Sequence, residues 1–289
     1  MSRSTIRSHP EVISRSVSEA KVDGGGESAE RSRPAVSAAA PAAARLDQRT
    51  HLDRARYRVV LRDYGGGLGE IGWSFIPTNV PSKSSRGKSE NAEANRDRAV
   101  RRARSRLRQL VLATGADHLL TLTYRVNLTD FDRACRDLNK FVRIVKALKP
   151  GWTYIAVAER QDRGAWHWHL AVQGRQDVAM LRASWRRVVG EGNIDVAAAK
   201  SSRRSGAVAL VRYLGKYLAK GFAEEQELNA RRFRASLRIE VPSESLALPP
   251  EYRGKAIAFA LQALYRTTGS IGFVWESQDL SAGWACSWK

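Results

Sequence analysis

The stretch WHWHLAV, Trp166 to Val172, decides how this chain is read. Its aromatic and branched residues suit a β-strand, and in a strand residues two apart share a face. His167 and His169 therefore project together, while Trp166, Trp168 and Leu170 point the other way. One side is then core and the other a paired imidazole surface. Two imidazoles on one face can hold a divalent cation if a third ligand arrives. Without one, they are two polar residues on an exposed strand face. Glu159 is the local candidate: it ends the apolar stretch WTYIAVAE, 152–159, and the turn-like QDRGA that follows brings it back alongside the histidines as a hairpin.

Working outward, HLLTLTYR, 118–125, reads as another strand. Thr121 and Thr123 share one of its faces and Arg125 emerges at its end, placed to line a site or position a substrate. LTDFDRACRDLNKFVRIVKAL has apolar residues at helical spacing, with Thr129 as the expected N-cap. In that helix Cys135 reads as a core residue. DVAMLRASWRRVVG is a second amphipathic helix, NIDVAAAK a fourth strand, and RRFRASLRIEV, 231–241, a last strand or coil. The order strand, helix, hairpin, helix, strand, helix predicts an α+β fold: an antiparallel sheet with helices packed on one face.

The closing helix, GAVALVRYLGKYLAKGF, 206–222, is expected to end at Gly221. Within it YLGKYLAK repeats Y-L-x-K at a four-residue step. On a helical wheel Tyr213, Tyr217, Lys216 and Lys220 fall in one arc of about 100°. Leu210, Val211, Leu214 and Leu218 form the adjoining apolar face, and Arg212 stands beside the first tyrosine. An ordinary amphipathic helix with tyrosines at its border is one reading. The other is chemical. A tyrosine oxygen placed in line can attack phosphorus, and a lysine can stabilise the phenolate or the developing phosphate charge. The product is a 5′-phosphotyrosine ester and a free 3′ hydroxyl, which keeps the cut end for rejoining. The tyrosines stand about one turn apart, roughly 6 Å, so one can hold a strand while the other attacks.

The 289-residue chain carries a formal net charge of +20, which favours a polyanionic partner, most simply nucleic acid. Arginine is densest in ENAEANRDRAVRRARSRLRQLVLATG, a helix with Arg98, Arg101, Arg102, Arg104, Arg106 and Arg108 distributed around it. So dense a set is expected to meet phosphates. Residues 1–55 read as a disordered basic tail and 56–94 as a short strand, RYRVVLR, with a linker. The glycines of DYGGGLGEIGW lack the Lys-Ser/Thr pair of a phosphate loop and read as a flexible turn. Residues 242–289 read as an extension with a helix, KAIAFALQALYR, and an aromatic tail. Two distant cysteines fit a reducing compartment. No secretory signal and no spanning apolar run is seen, so a cytoplasmic protein with no membrane partner is expected.

Taken together, LLTLTYR, HWHLAV and YLGKYLAK, in that order, resemble the three motifs of the HUH endonucleases, specifically the two-tyrosine rolling-circle replication initiators of phages and plasmids. The segment ERQDRGAWHWH and the later RRFRASLRI fit the same pattern, and the resemblance covers roughly residues 95–240, with a nuclease domain drawn at 95–241. It implies a ferredoxin-like or RRM-like core with the tyrosine helix facing the histidines, and it implies Mg²⁺ or Mn²⁺. The activity implied is nicking and strand transfer on single-stranded or origin DNA, in a bacterial host cell, with host helicase and DNA polymerase following. His167, His169 and Glu159 match the metal ligands, although Gln161 and Asp162 are alternatives to Glu159. Tyr213 and Tyr217 match the nucleophiles. A transposase or relaxase of the same superfamily, a hydrolytic metallonuclease, and a non-catalytic nucleic-acid-binding or regulatory protein are the other readings.

Overall fold

The computed structural model describes residues 55–78, 92–199, 205–223 and 233–288. The expected tail lies outside these but for Ala55, as does most of the linker at 77–89. Two five-stranded sheets, each antiparallel throughout, carry the described residues.

The first sheet contains β3 (His118–Tyr124), β4 (Tyr154–Arg160), β5 (Trp166–Val172), β6 (Gly192–Ala198) and the two-residue β7 (Arg234–Ala235). Their order is β6-β3-β5-β4-β7, which puts the histidine strand in the centre. One face is covered by α2 (Phe131–Leu148) and α3 (Val178–Val189). Here Trp168, Leu170, Phe141, Leu138, Leu181 and Trp185 are buried almost completely. Each contributes about 1.5–3 kcal/mol through the apolar surface it removes from water. Trp166 and Trp168 point into this core, as their alternation with the histidines requires. Their indoles donate to the carbonyls of Thr129 and Ala134, which ties the strand to α2. Asp130, not Thr129, caps that helix: its carboxylate accepts from the Arg133 backbone N–H at 3.0 Å. A charged acceptor at this position also complements the positive end of the helix.

The expectation of helices on one face is corrected. The opposite face of the same sheet carries α1 (Ala92–Ala113) and α4 (Gly206–Ala223). Leu107, Leu110 and Val111 of α1 and Leu210, Leu214 and Leu218 of α4 bury against Ile155, Val157 and Ala171. Inner strands that are apolar on both sides demand two covering layers. β5 is buried along its whole length as a result, so the histidines do not lie on an open surface. Helix α4 also runs through Gly221 to Ala223 instead of stopping at the glycine.

Chain ends that looked like separate extensions build the second sheet. β1 (Arg56–Asp63) and β2 (Gly69–Ile76) join β8 (Glu244–Leu248), β9 (Phe273–Glu276) and β10 (Ala282–Cys286) in the order β8-β1-β2-β10-β9. The expected aromatic tail is the β9–β10 hairpin. Helix α5 (Arg253–Thr268) packs on one face, with Ala260 and Leu264 against Val59, Ile71 and Trp73. Gly65, Gly66 and Gly67 all have positive φ and form the β1–β2 turn, a conformation that favours glycine. The glycine run is therefore a hairpin loop, as its missing Lys-Ser/Thr pair indicated. Glu70 of β2 is fully buried and binds Arg108 of α1 at 2.7 Å, which fixes this sheet to the arginine helix. Cys135 and Cys286 are both buried and free. Among the described residues no helix is long and apolar enough to cross a membrane.

Candidate active site

Strand pairing assembles the polar face beneath α4. Glu159 of β4 stands directly opposite His167 of β5. Two pairs further along, His169 lies between Val157 of β4 and Thr121 of β3. The hairpin turn between β4 and β5 is closed by Gln161 N–H donating to Ala165 O at 2.9 Å. That closure sets the register, and the register sets which carboxylate meets the imidazoles.

Both nitrogens of His169 are engaged. Nε2 lies 2.7 Å from Glu159 Oε2, and Nδ1 lies 3.3 Å from Thr121 Oγ1. With Glu159 ionised, Nε2 carries the proton and Nδ1 accepts from the threonine hydroxyl. His167 differs: its Nε2 is buried and has no hydrogen-bond partner. Burial, with the neighbouring His169 imidazole and Arg163 guanidinium, holds the His167 pKa below the ordinary histidine value, while Glu159 opposes the shift. A neutral imidazole with an unused ring nitrogen is a ligand in waiting.

Above the histidines lie the tyrosines. The Tyr217 ring stacks on His169 with centroids 4.5 Å apart, and Tyr213 meets the same imidazole edge-on at 5.5 Å. The Tyr217 hydroxyl donates to that of Tyr213 at 3.2 Å. The helical wheel placed both on one arc, and α4 turns that arc toward the imidazoles because its leucines seat on Ile155 and Val157. Burial raises the Tyr213 pKa well above 10, and the charges of Glu159 and Asp195 push it the same way.

The two lysines separate. Lys216 Nζ lies 5.8 Å from the Tyr217 ring centroid. Lys220 instead donates to the Arg160 carbonyl at 3.0 Å and lies 3.9 Å from Asp162, so it braces the β4–β5 turn. Of the alternative third ligands, Asp162 is fully exposed beside Lys220, and Gln161 accepts from Arg163 Nε at 3.0 Å. Glu159 alone of the three bonds to a histidine of the pair.

Thr123 donates to the Asn193 carbonyl at 3.0 Å, and Arg125 pairs with Glu191 at 3.3 Å with both side chains exposed. An open cleft at the end of β3 is lined by Thr123, Arg125, Arg186, Glu191 and Asn193. On α1, Arg98, Arg101, Arg102, Arg104 and Arg106 are exposed, as is Arg212 on α4. Arg108 departs from this group: it is held by Glu70 and lies over the Trp284 ring at 4.4 Å. Its guanidinium is thus engaged by Glu70 and Trp284.

Asp195 was missed in the sequence. It pairs with Thr121 on β6, so His169, Thr121 and Asp195 form one row across three strands. Its signal was present in NIDVAAAK, where it alternates with the buried Ile194. What was missing was the register that carries this strand beside β3.

The donor types fit a divalent cation: two imidazoles, one with an orphaned buried nitrogen, and a carboxylate. Among the described residues no three His, Cys, Asp or Glu side chains are yet gathered closely enough to hold one. Glu159 and His169 are bonded to each other, and would have to turn toward a shared ion.

A strand with paired imidazoles and a carboxylate, faced by two tyrosines, is the arrangement expected of a replication initiator. Residues 117–222, from the start of β3 through the tyrosine helix, match the family of the replication-associated protein ORF2. That match supports a role for this segment in the initiation of replication. No curated protein matches the chain. A solved structure, the hypothetical protein ORF119 from Sulfolobus islandicus rod-shaped virus 1, is 10% identical over 43% of this chain and 97% of its own, with a TM-score of 0.29, too slight a likeness to bear on function.

Proposed function

We propose that the protein nicks single-stranded origin DNA through a tyrosine nucleophile and rejoins the strand after replication has begun. The observation that carries this reading is the packing of Tyr217, stacked, and Tyr213, edge-on, against His169, beside Glu159 and the unpartnered His167 nitrogen. His167, His169 and Glu159 would hold Mg²⁺ or Mn²⁺, which polarises the scissile phosphate when bound. A tyrosine oxygen attacks phosphorus, the bond from phosphorus to the 3′ oxygen breaks, and that oxygen takes up a proton to leave as a hydroxyl. The strand stays attached through its 5′ phosphate. Attack by the free 3′ hydroxyl on that ester reverses the step and returns the phenol.

Lys216, one turn from Tyr213 and near Tyr217, offsets negative charge on phenolate or phosphate. The hydrogen bond between the tyrosines keeps both oxygens in one place, so a second phosphate can be attacked while the first ester persists. Thr121 and Glu159 hold the His169 ring in orientation. The exposed arginines of α1 supply sequence-independent attraction for the strand. Host helicase and polymerase would extend from the 3′ hydroxyl.

The test is the double substitution Tyr213→Phe with Tyr217→Phe. Cleavage of a labelled single-stranded origin oligonucleotide and the denaturation-resistant protein–DNA adduct should both vanish, while binding persists. Cleavage at the wild-type rate without an adduct would replace this mechanism by hydrolysis.

A further inference from the structure

The second sheet carries exposed aromatic rings that the tyrosine chemistry does not use. β9 is an edge strand with all four residues exposed. Register places Trp275 opposite Trp284 and Phe273 opposite Cys286, so Phe273, Trp275 and Trp284 share the face away from α5. Phe273 is 50% and Trp275 51% exposed. The Phe273 and Trp284 rings lie 5.9 Å apart. Arg108 covers one side of Trp284 at 4.4 Å. The buried Glu70 fixes that assembly, accepting from Arg108 Nε at 2.7 Å and Trp284 Nε1 at 3.1 Å.

Positive charge surrounds these rings. Arg58 is exposed on the same sheet face, since it alternates with the α5-facing Val59. On α1, Arg101 and Arg104 lie within about 40° of Arg108 on the helical wheel, and both are exposed. An edge strand bearing large bare rings is a liability unless something covers it. A second copy would bring together two chains of net charge +20, whereas a polyanion is attracted. Ring faces stack on bases only where the bases are unpaired, because a duplex hides its base faces.

We propose that Phe273 and Trp275, seated on the Trp284–Arg108–Glu70 assembly, form a stacking site for unpaired bases of single-stranded DNA, with Arg58, Arg101 and Arg104 taking the phosphates. That the strand bound there is the one flanking the nick rests on the nicking reading; the stacking itself does not. The site holds the displaced strand while the tyrosine site works on another part of it.

The test uses the full chain and fluorescence anisotropy with a labelled 30-nucleotide oligo(dT), a matched duplex, and a short oligonucleotide covering only the nick site. Phe273→Ala with Trp275→Ala should weaken oligo(dT) binding by about ten- to a hundredfold. Duplex binding and cleavage of the short oligonucleotide should not change, and Trp275→Tyr should restore most of the oligo(dT) affinity. Unaltered oligo(dT) affinity in the double variant would overturn the proposal. So would a wild-type dimer that the double variant converts to monomer without a change in DNA binding, since the face would then belong to a second copy. Loss of nicking chemistry with stacking intact would remove the nicking reading alone.

Discussion

Replacing Glu70 with alanine should destabilise the protein more than any surface change, and the size of the effect follows from the carboxylate's partners. Glu70 is fully buried and accepts from Arg108 Nε at 2.7 Å, Tyr64 Oη at 3.0 Å and Trp284 Nε1 at 3.1 Å, with Arg62 at 3.7 Å. Breaking a buried pair by removing one partner costs about 3–5 kcal/mol, because a charge is left uncompensated. Each neutral donor stranded without an acceptor adds about 1–3 kcal/mol if water cannot reach it. Against this, the Arg108 side chain keeps 18% exposure and can turn partly toward solvent. The net loss for Glu70→Ala is therefore placed at about 3–4 kcal/mol. For a chain of this size that lowers Tm by roughly 6–16 °C. Glu70→Gln keeps one acceptor oxygen and the bulk of the side chain, so it should lose less. Urea unfolding monitored by tryptophan fluorescence measures both. A Glu70→Ala protein within about 1 kcal/mol of wild type would refute the idea that this carboxylate locks the second sheet to α1.

Other expectations concern the active site and the arginine helix. The Tyr213 pKa lies above 10, so the phenol is protonated at pH 7 and its phenolate fraction grows with pH. Single-turnover cleavage should rise by up to about tenfold per pH unit between roughly pH 7 and 9, and a flat profile would mean that loss of this proton does not limit the step. His167→Ala should abolish metal-dependent cleavage and weaken Mn²⁺ binding by at least about tenfold in calorimetry; unchanged Mn²⁺ affinity would remove the metal assignment. Charge reversal at Arg101, Arg102, Arg104 and Arg106 should weaken single-strand binding and flatten its salt dependence, by about 0.7 in slope for each phosphate no longer neutralised. If neither quantity moves, the α1 arginines are a solvated face.

Much of the candidate site was legible because it is written in local periodicity. A two-residue step puts His167 and His169 on one side of β5 and Trp166 and Trp168 on the other, and the structure keeps that division. A four-residue step puts Tyr213 and Tyr217 on one side of α4, and they meet at one hydrogen bond. The N-cap of α2 was displaced by one residue because two capping side chains, Thr129 and Asp130, stand next to each other and only backbone geometry chooses between them.

Long-range pairing was not legible. β1 and β2 join β9 and β10 across some two hundred residues, with the Gly69 N–H donating to Ser287 Oγ at 3.0 Å, and no local pattern announces such a partner. Sequence could count the arginines of α1, but it could not separate Arg108 from the rest, because the distinction depends on a glutamate in another sheet. By itself, then, the sequence determined which side chains share a face, since helical and strand periods are properties of the backbone. Only tertiary structure decided which faces meet: helices on both sides of the histidine sheet, Asp195 in the row beyond Thr121, and Glu70 beneath Trp284. Those choices depend on burying apolar surface and pairing buried charge across the whole chain, which no short window of residues contains.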